Sequence, residues 1–139
     1  MPSASLLNVG SEASAGVQNV AETGDGSTLL SEVQTLVDAG SALSAVSFSA
    51  PSSGSAMPLG TVTVSSTHSA VTVMSMIAPS PDWFAAAISM DVKDGDGAYL
   101  DCVEVELVAL DAGTDDGTTY MSADSATMPR GVVSTLYGS

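Results

Sequence analysis

The sequence predicts a mainly β fold, an antiparallel β-sandwich preceded by one or two short N-terminal helices. Apolar residues recur every three or four positions up to about residue 40, whereas after residue 60 they alternate with polar ones. Turn-forming residues divide the alternating part into short runs, which is typical of a sandwich. The chain of 139 residues is long enough for one hydrophobic core, so we expect a single domain over residues 1–139.

Two amphipathic stretches, residues 11–24 and 27–40, predict the helices. Each has an apolar stripe at helical spacing and ends on a glycine, Gly24 or Gly40, where a helix would stop. Ser27 is a candidate N-cap for the second helix. The stripes consist of Val17, Val20 and Ala21 in the first helix and Leu29, Val33, Leu36 and Val37 in the second.

Short β-branched or alternating runs predict the strands. In the run 100–110, Val103, Val105 and Leu107 face one way and two glutamates face the other, as in a half-buried antiparallel strand. Cys102 lies in the same run, and we expect a small buried apolar residue there. The predicted strands span residues 46–49, 61–66, 70–78, 84–92, 100–110, 118–123 and 132–138.

The charge of the chain excludes some classes of partner. Sixteen acidic residues stand against Lys93 and Arg130, which gives a formal net charge of −14. Such a surface repels phosphate, so nucleic acid and anionic membranes are not expected as partners unless a cation bridges them. No apolar run approaches the ~20 residues of a membrane-spanning helix, so no membrane insertion is expected. No signal peptide is visible in the first residues.

Three acidic patches are candidates for chemistry. Residues 93–97, KDGDG, begin like a calcium loop, but Ala98 stands at the third ligand position, so a hairpin turn is the better interpretation. In residues 110–117, LDAGTDDG, a curled loop would bring the carboxylates of Asp111 and Asp115 to one point. A hard cation would relieve their repulsion. A solvated hairpin explains the same residues equally well.

Asp82, in PSPDWF, is the third candidate. The prolines at 79 and 81 prevent a helix, and the aromatic residues Trp83 and Phe84 are expected to return the chain to the core. By itself, the Asp82 side chain would accept hydrogen bonds from nearby backbone amides and cap a turn.

Several of these motifs, in this order, resemble the spondin domain family. They are SEASAGVQNVAETGDGSTL (11–29), MSMIAPSPDWF (74–84), DAGTDDG (111–117) and MPRGVV (128–133). The resemblance covers nearly the whole chain, from about Ser11 to Leu136. It implies a β-sandwich with a calcium ion near the ends of its strands and an extracellular or cell-surface location. The chain departs from animal members of the family in having a single cysteine.

The same resemblance implies the metal ligands. In the family, calcium is held by the aspartate of the SPDW-type motif and the two aspartates of the DAGTD-type motif, which match Asp82, Asp111 and Asp115. Trp83 would be the core anchor that positions Asp82. Asp116 stands where the family usually has a smaller residue, and we expect it near the metal or on the surface.

Two functions fit these features, and a third fits poorly. The first is a calcium-binding extracellular adhesion or recognition module, which is not an enzyme and has an unidentified ligand. The second is a self-assembling subunit of an extracellular fibre or layer, in which calcium stabilises the fold or bridges acidic subunits. An enzyme is not expected, because the single histidine, His68, has serines beside it but no acid.

Overall fold

The structure is a computed structural model that describes residues 6–48 and 59–137. These residues form two helices followed by one four-stranded antiparallel sheet, in which the strands lie side by side in chain order. The antiparallel, mainly β part of the prediction is confirmed, and the two-sheet sandwich stays a prediction. The elements are α1 (Ala15–Thr23), α2 (Ser27–Asp38), β1 (Ala70–Met76), β2 (Trp83–Asp91), β3 (Val108–Asp111) and β4 (Ser134–Thr135).

Both predicted helices form, and α1 begins where two side chains supply acceptors. Ser14 is its N-cap, and its Oγ accepts a hydrogen bond from the Val17 amide at 3.2 Å. Glu32 of α2 accepts two more, from the Gly16 amide at 2.8 Å and from the Ser14 hydroxyl at 2.7 Å. A carboxylate at this position also complements the positive end of the helix dipole. Gly24 ends α1 in the left-handed conformation, as predicted.

The second helix differs from the prediction at its start. Ser27 is the first residue of α2 and does not cap it, because Gly26 occupies the N-cap position. The Asp25 side chain instead accepts the Ser27 amide hydrogen at 2.9 Å. Gly40 lies just after the helix and also has the left-handed conformation, with φ +78°.

The core lies between α1 and one face of the sheet. Phe84 and Leu110 are its largest buried side chains, and both are at most 1% exposed. The α1 stripe is wholly buried, whereas α2 has no buried residue and contributes only partly buried side chains. The remaining core residues are Leu7, Ala13, Val17, Ala21, Ala86, Ala112 and Val133.

Several predicted strands do not form. The described residues 46–48 and the runs 61–66 and 118–123 have no strand structure, and Ser49 lies outside the described residues. Among the described residues of the run 132–138, only Ser134–Thr135 form a strand, and of the run 100–110 only residues 108–110 join β3. Within the remainder, residues 101–107 follow the Leu100 amide that bonds to Val92 and are named the unpaired segment.

A register mismatch explains why the unpaired segment does not pair with β2. Ala86 of β2 pairs with Val108 of β3, and beyond the end of β2 Lys93 pairs with Tyr99. Six residues (87–92) separate the paired positions on one side and eight (100–107) on the other. The longer side cannot match the shorter one residue for residue, so it leaves the ladder.

The predictions for side chains in this run are wrong for the same reason. Val103, Val105 and Leu107 are 42%, 51% and 47% exposed, because no sheet holds the run against the core. Cys102 is an exposed free thiol, although it was expected to be buried.

The turn predicted at residues 93–97 is confirmed. The Gly97 amide donates to the Asp94 carbonyl at 3.1 Å, and the Asp94 amide donates to the Ala98 carbonyl at 2.9 Å. The Asp94 side chain accepts the amide hydrogens of Asp96 and Ala98, at 2.9 and 3.0 Å. This carboxylate therefore stabilises the turn itself.

Candidate metal site

Asp82 lies at the start of β2 in a turn that Ser80 fixes. The Ser80 hydroxyl donates to the Trp83 carbonyl at 3.2 Å and accepts the Trp83 amide hydrogen at 3.1 Å. The Ser80 amide donates to the Ile77 carbonyl at 2.9 Å. The backbone carbonyl of Asp82 accepts the Ala112 amide hydrogen at 3.1 Å, which joins this turn to the end of β3.

The two oxygens of the Asp82 carboxylate have different surroundings. Oδ2 accepts hydrogen bonds from the Thr114 amide at 2.8 Å, the Asp115 amide at 3.1 Å and, more weakly, the Thr114 hydroxyl at 3.4 Å. Oδ1 is buried and accepts no hydrogen bond from any described residue. The whole residue is 0% exposed. A buried carboxylate oxygen without a donor is costly, and the site is therefore incomplete as it stands.

Asp111 brings a second carboxylate to this position. It is the last residue of β3, and its Cα pairs with that of Trp83, the residue after Asp82. Its Oδ1 accepts the Gly113 amide hydrogen at 2.7 Å. Gly113 has φ +75°, and a Cβ there would lie 2.7 Å from the Val132 carbonyl oxygen, so only glycine fits this bend.

The surroundings of Asp82 raise the pKa of its carboxyl group. Burial raises the pKa of the Asp82 carboxyl, and the neighbouring negative charge of Asp111 raises it further. The amide hydrogens of Thr114 and Asp115 act in the opposite direction, but the net direction is upward. A carboxylate that is held next to another acid and away from water is a position where a bound cation would relieve the destabilisation.

Asp115, the third predicted ligand, is placed differently. Its amide contacts Asp82, but its carboxylate accepts the Gly117 amide hydrogen at 2.8 Å and the Ser125 amide hydrogen at 2.7 Å. Among residues 6–48 and 59–137, no three His, Cys, Asp or Glu side chains are grouped closely enough to hold a metal ion. The structure brings Asp82 and Asp111 together. The Asp115 carboxylate is occupied by the backbone amides of Gly117 and Ser125. Calcium binding by Asp82, Asp111 and Asp115 stays a prediction.

Trp83 does not have the expected role of core anchor, and Asp116 lies on the surface. Trp83 is only partly buried, and it lies against Tyr120 with ring centroids 6.4 Å apart. Phe84 alone enters the core, because successive side chains of a strand point to opposite faces. Asp116 is an exposed surface acid, and its Oδ1 accepts the Thr127 hydroxyl hydrogen at 2.8 Å.

Sequence reasoning missed Thr114 and Ser125. Thr114 is 3% exposed and donates to Asp82 through its backbone, and Ser125 donates through its backbone to Asp115. Backbone donors leave no signature in side-chain chemistry. The only available signal was the position of Thr114 inside the DAGTDDG motif.

Comparison with known proteins identifies the family. The sequence model of the family described as Spondin_N matches residues 2–139. The chain belongs to the spondin N-terminal domain family. The resemblance based on the PSPDW and DAGTD motifs is therefore confirmed.

Relatives of this spondin domain include longer proteins. Human Spondin-2 is 36% identical over 126 residues, which cover 89% of this chain and 38% of that protein. Spondin-1 of Rattus norvegicus is 30% identical over 131 residues, covering 90% of this chain and 16% of that protein. The chain thus spans well under half the length of the curated relatives that it matches.

The family also bears on location. Spondin-1 and Spondin-2 are secreted extracellular matrix proteins, which confirms the expected extracellular or cell-surface location. They are not known as enzymes. Within the described part of this spondin domain, no helix has the length and apolar character needed to cross a membrane.

Proposed function

We propose that this spondin domain is a calcium-binding, non-enzymatic module for adhesion or recognition outside the cell. The observation that carries the proposal is the buried Oδ1 of Asp82, which has no described donor and lies in a site shared with Asp111. The extracellular matrix relatives support the general role of recognition. The calcium part rests on the chemistry of the two carboxylates.

The available donor atoms suit a hard cation. Calcium prefers oxygen ligands and accepts irregular arrangements of carboxylates, backbone carbonyls and water. Asp82 and Asp111 would bind it directly, and its charge would compensate the two carboxylates. Asp115 remains a candidate third ligand, since a carboxylate oxygen that accepts one amide hydrogen keeps a second lone pair.

The proposed role of the metal is to reinforce loops that the fold already shapes. Asp82 precedes β2, and Asp111 opens the loop 112–117 that follows β3. A cation between them would therefore strengthen the join between a turn and a loop at one end of the sheet. Loops on a rigid scaffold are where binding residues concentrate, so this end of the domain is the proposed recognition surface.

Thermal unfolding with and without calcium tests the proposal. A ligand that binds only the folded state stabilises it by RT ln(1 + [L]/Kd), about 2.7 kcal/mol at a hundredfold excess over Kd. We expect calcium to raise the melting temperature of the wild-type domain and to have little effect on Asp111→Asn. Asp96→Asn, in the exposed turn at the other end of β2, is the charge-matched control and should respond like the wild type.

The outcome is decided by the comparison of these three proteins. Equal melting temperatures in calcium and in chelator for the wild type would contradict calcium binding. A calcium response that is reduced equally in Asp111→Asn and Asp96→Asn would indicate general screening of the net charge of −14 and no specific site.

A self-assembling structural subunit is the second candidate function. The observation in its favour is that large apolar side chains in the C-terminal part of the chain are left exposed: Met121, Met128 and Tyr137 are 76%, 82% and 81% exposed. Exposed apolar surface is a feature of interaction sites. Sedimentation velocity in millimolar calcium and in excess chelator tests this function. A polymer that dissociates in chelator would support it, and a monomer in both conditions would contradict it.

A further inference from the structure

The unpaired segment, residues 101–107, has the sequence of a strand but pairs with no strand of the described chain. All seven residues are exposed, and none makes a hydrogen bond with any part of the described chain. The segment is tethered at both ends, because the Leu100 amide donates to the Val92 carbonyl at 2.8 Å and Val108 pairs with Ala86. Its backbone N–H and C=O groups thus follow the end of a sheet and have no hydrogen-bond partner among residues 6–48 and 59–137.

The structure disfavours pairing of the unpaired segment with β2. The two-residue mismatch between the paired ends places its side chains out of register with β2. In β2 itself, Ser89 has φ +53°, and its amide donates to the Thr72 hydroxyl at 2.9 Å in place of a backbone carbonyl. The register of β1 with β2 also shifts between Val71 and Val73.

The chemistry of the segment fits an added β-strand. A row of free backbone donors and acceptors is the feature by which sheets bind extended peptides, and alternating side chains then give specificity. Val103, Val105 and Leu107 would supply an apolar face, and Glu104 and Glu106 an acidic one, since neighbouring strand residues point to opposite sides.

Charge determines which strand fits. The segment carries Asp101, Glu104 and Glu106 and no basic residue, in a chain of net charge −14. A second copy would bring the same acids. Its only basic residues, Lys93 and Arg130, lie outside the segment. Opposite charges across neighbouring strands stabilise a pair and like charges destabilise it.

We propose that residues 101–107 bind an extended, lysine- or arginine-rich segment of a partner protein, which adds to them as a β-strand. The partner's backbone pairs with the segment, its basic side chains lie opposite the glutamates, and its apolar side chains cover the valines. The interaction needs no calcium, so its test is independent of the metal site.

Hydrogen exchange of the full chain tests this proposal, with an acetylated, amidated peptide of alternating lysine and valine as the probe. In the free protein, the amides of residues 101–107 should exchange at nearly the rate of an unfolded chain. A saturating amount of the peptide should slow them by about tenfold or more while leaving α1 and α2 unchanged. A peptide of alternating glutamate and valine should have no effect.

Substitutions separate strand addition from simple charge attraction. Val105→Pro removes one amide hydrogen from the middle of the segment and should abolish the protection, with the melting temperature unchanged because the segment supports no ladder. Val62→Pro changes another exposed, unpaired valine and is the matched control, which should retain full protection. Glu104→Gln combined with Glu106→Gln should weaken peptide binding.

Four results would overturn the proposal. Slow exchange of residues 101–107 in the free protein at low concentration would show that the segment closes onto its own sheet. Protection that appears with rising protein concentration alone would assign the surface to a second copy. Peptide binding that survives Val105→Pro would indicate charge attraction without strand pairing. No protection by the lysine–valine peptide would exclude a basic strand.

Discussion

At the scale of single residues, the unequal environment of the two Asp82 oxygens is the main feature of the site. One oxygen accepts hydrogen bonds from Thr114 and Asp115, and the other is buried and accepts none from the described chain. Hydrogen bonds to the first oxygen stabilise the ionised form, whereas burial of the whole group and the nearby Asp111 destabilise it. The metal-free domain is therefore destabilised by its own carboxylate at neutral pH.

The pH dependence of stability follows from the raised pKa of Asp82. The folded state binds this proton more tightly than the unfolded chain, whose aspartates have a pKa of about 3.9. The favourable contribution is thus complete below that pH and is lost as the pH rises through the folded-state pKa. In chelator, we expect Asp82→Asn to gain stability relative to the wild type between pH 4 and pH 7. Urea unfolding at a series of pH values measures this difference.

Asp96→Asn is the control for that series. It removes one acid from an exposed turn, so its stability relative to the wild type should change much less with pH than that of Asp82→Asn. A difference between Asp82→Asn and the wild type that stays constant from pH 4 to pH 7 would contradict the raised pKa.

Asp115 should behave differently from Asp111. Both of its oxygens accept backbone amides, so Asp115→Asn replaces one acceptor by a donor and leaves the Gly117 or the Ser125 amide without a partner. We expect a loss of about 1–3 kcal/mol that is already present in chelator, before any loss of a metal ligand is felt in calcium. Asp111→Asn, which keeps an acceptor for Gly113, should lose stability chiefly in calcium. Chemical denaturation in both conditions distinguishes the two variants.

At the scale of elements, the junction of α1 and α2 depends on close contact. Glu32 of α2 accepts two hydrogen bonds from the first turn of α1, and Gly16 in that turn lies against Leu29. A Cβ on Gly16 would be 2.5 Å from the Leu29 Cα, a backbone atom that no side-chain rotation can move. This approach allows an acid on one helix to cap the other.

Gly16→Ala should therefore destabilise the domain by about 1–3 kcal/mol, because the helices must separate and the Glu32 hydrogen bonds lengthen. Gly95→Ala is a suitable control, since a Cβ there meets no atom within 4 Å. Its effect should stay within about 0.5 kcal/mol. Thermal denaturation of both variants tests the contact, and equal stability of the two would contradict it.

The elements show what sequence patterns can and cannot predict. The helical stripe with Val17 and the glycine at 24 predicted α1, because helix signals are local. Alternation in residues 100–110 was equally clear, yet most of this run has no strand partner. Strand formation depends on the register between distant residues, and a two-residue mismatch between Lys93–Tyr99 and Ala86–Val108 is invisible in the alternation itself.

In the candidate site, the positions of two carboxylates were predictable from sequence, but the orientation of the Asp115 side chain was not. Asp82 and Asp111 were identified from their motifs, and the structure brings them together across β2 and β3. The orientation of the Asp115 side chain depends on the amides of Gly117 and Ser125. Backbone donors are common to nearly every residue, so no sequence pattern reveals which carboxylate they will bind.

At the scale of the whole molecule, repulsion between acids is the dominant electrostatic property. The net charge of −14 is spread over 139 residues that include only one lysine and one arginine. Both of these basic side chains donate hydrogen bonds to uncharged acceptors, Ser66 and Gln18. The folded state brings the acids closer together than the unfolded chain does, so folding increases their repulsion.

Monovalent salt should therefore stabilise the domain. The screening length falls from about 30 Å at 0.01 M to about 3 Å at 1 M salt, which weakens repulsion between exposed acids. We expect the melting temperature in chelator to rise as sodium chloride increases over this range. Sucrose at matched osmolality is the comparison, and an equal rise in sucrose would indicate solvent exclusion in place of charge screening.

Asp82 joins the loop after β3 through both its backbone and its side chain. Its carbonyl accepts the Ala112 amide and its carboxylate accepts those of Thr114 and Asp115, so folding alone gives this loop its shape. The proposed cation would meet a loop that is already ordered, so little conformational entropy would be lost on binding. Binding of the proposed ligand therefore does not have to be coupled to folding of the loop.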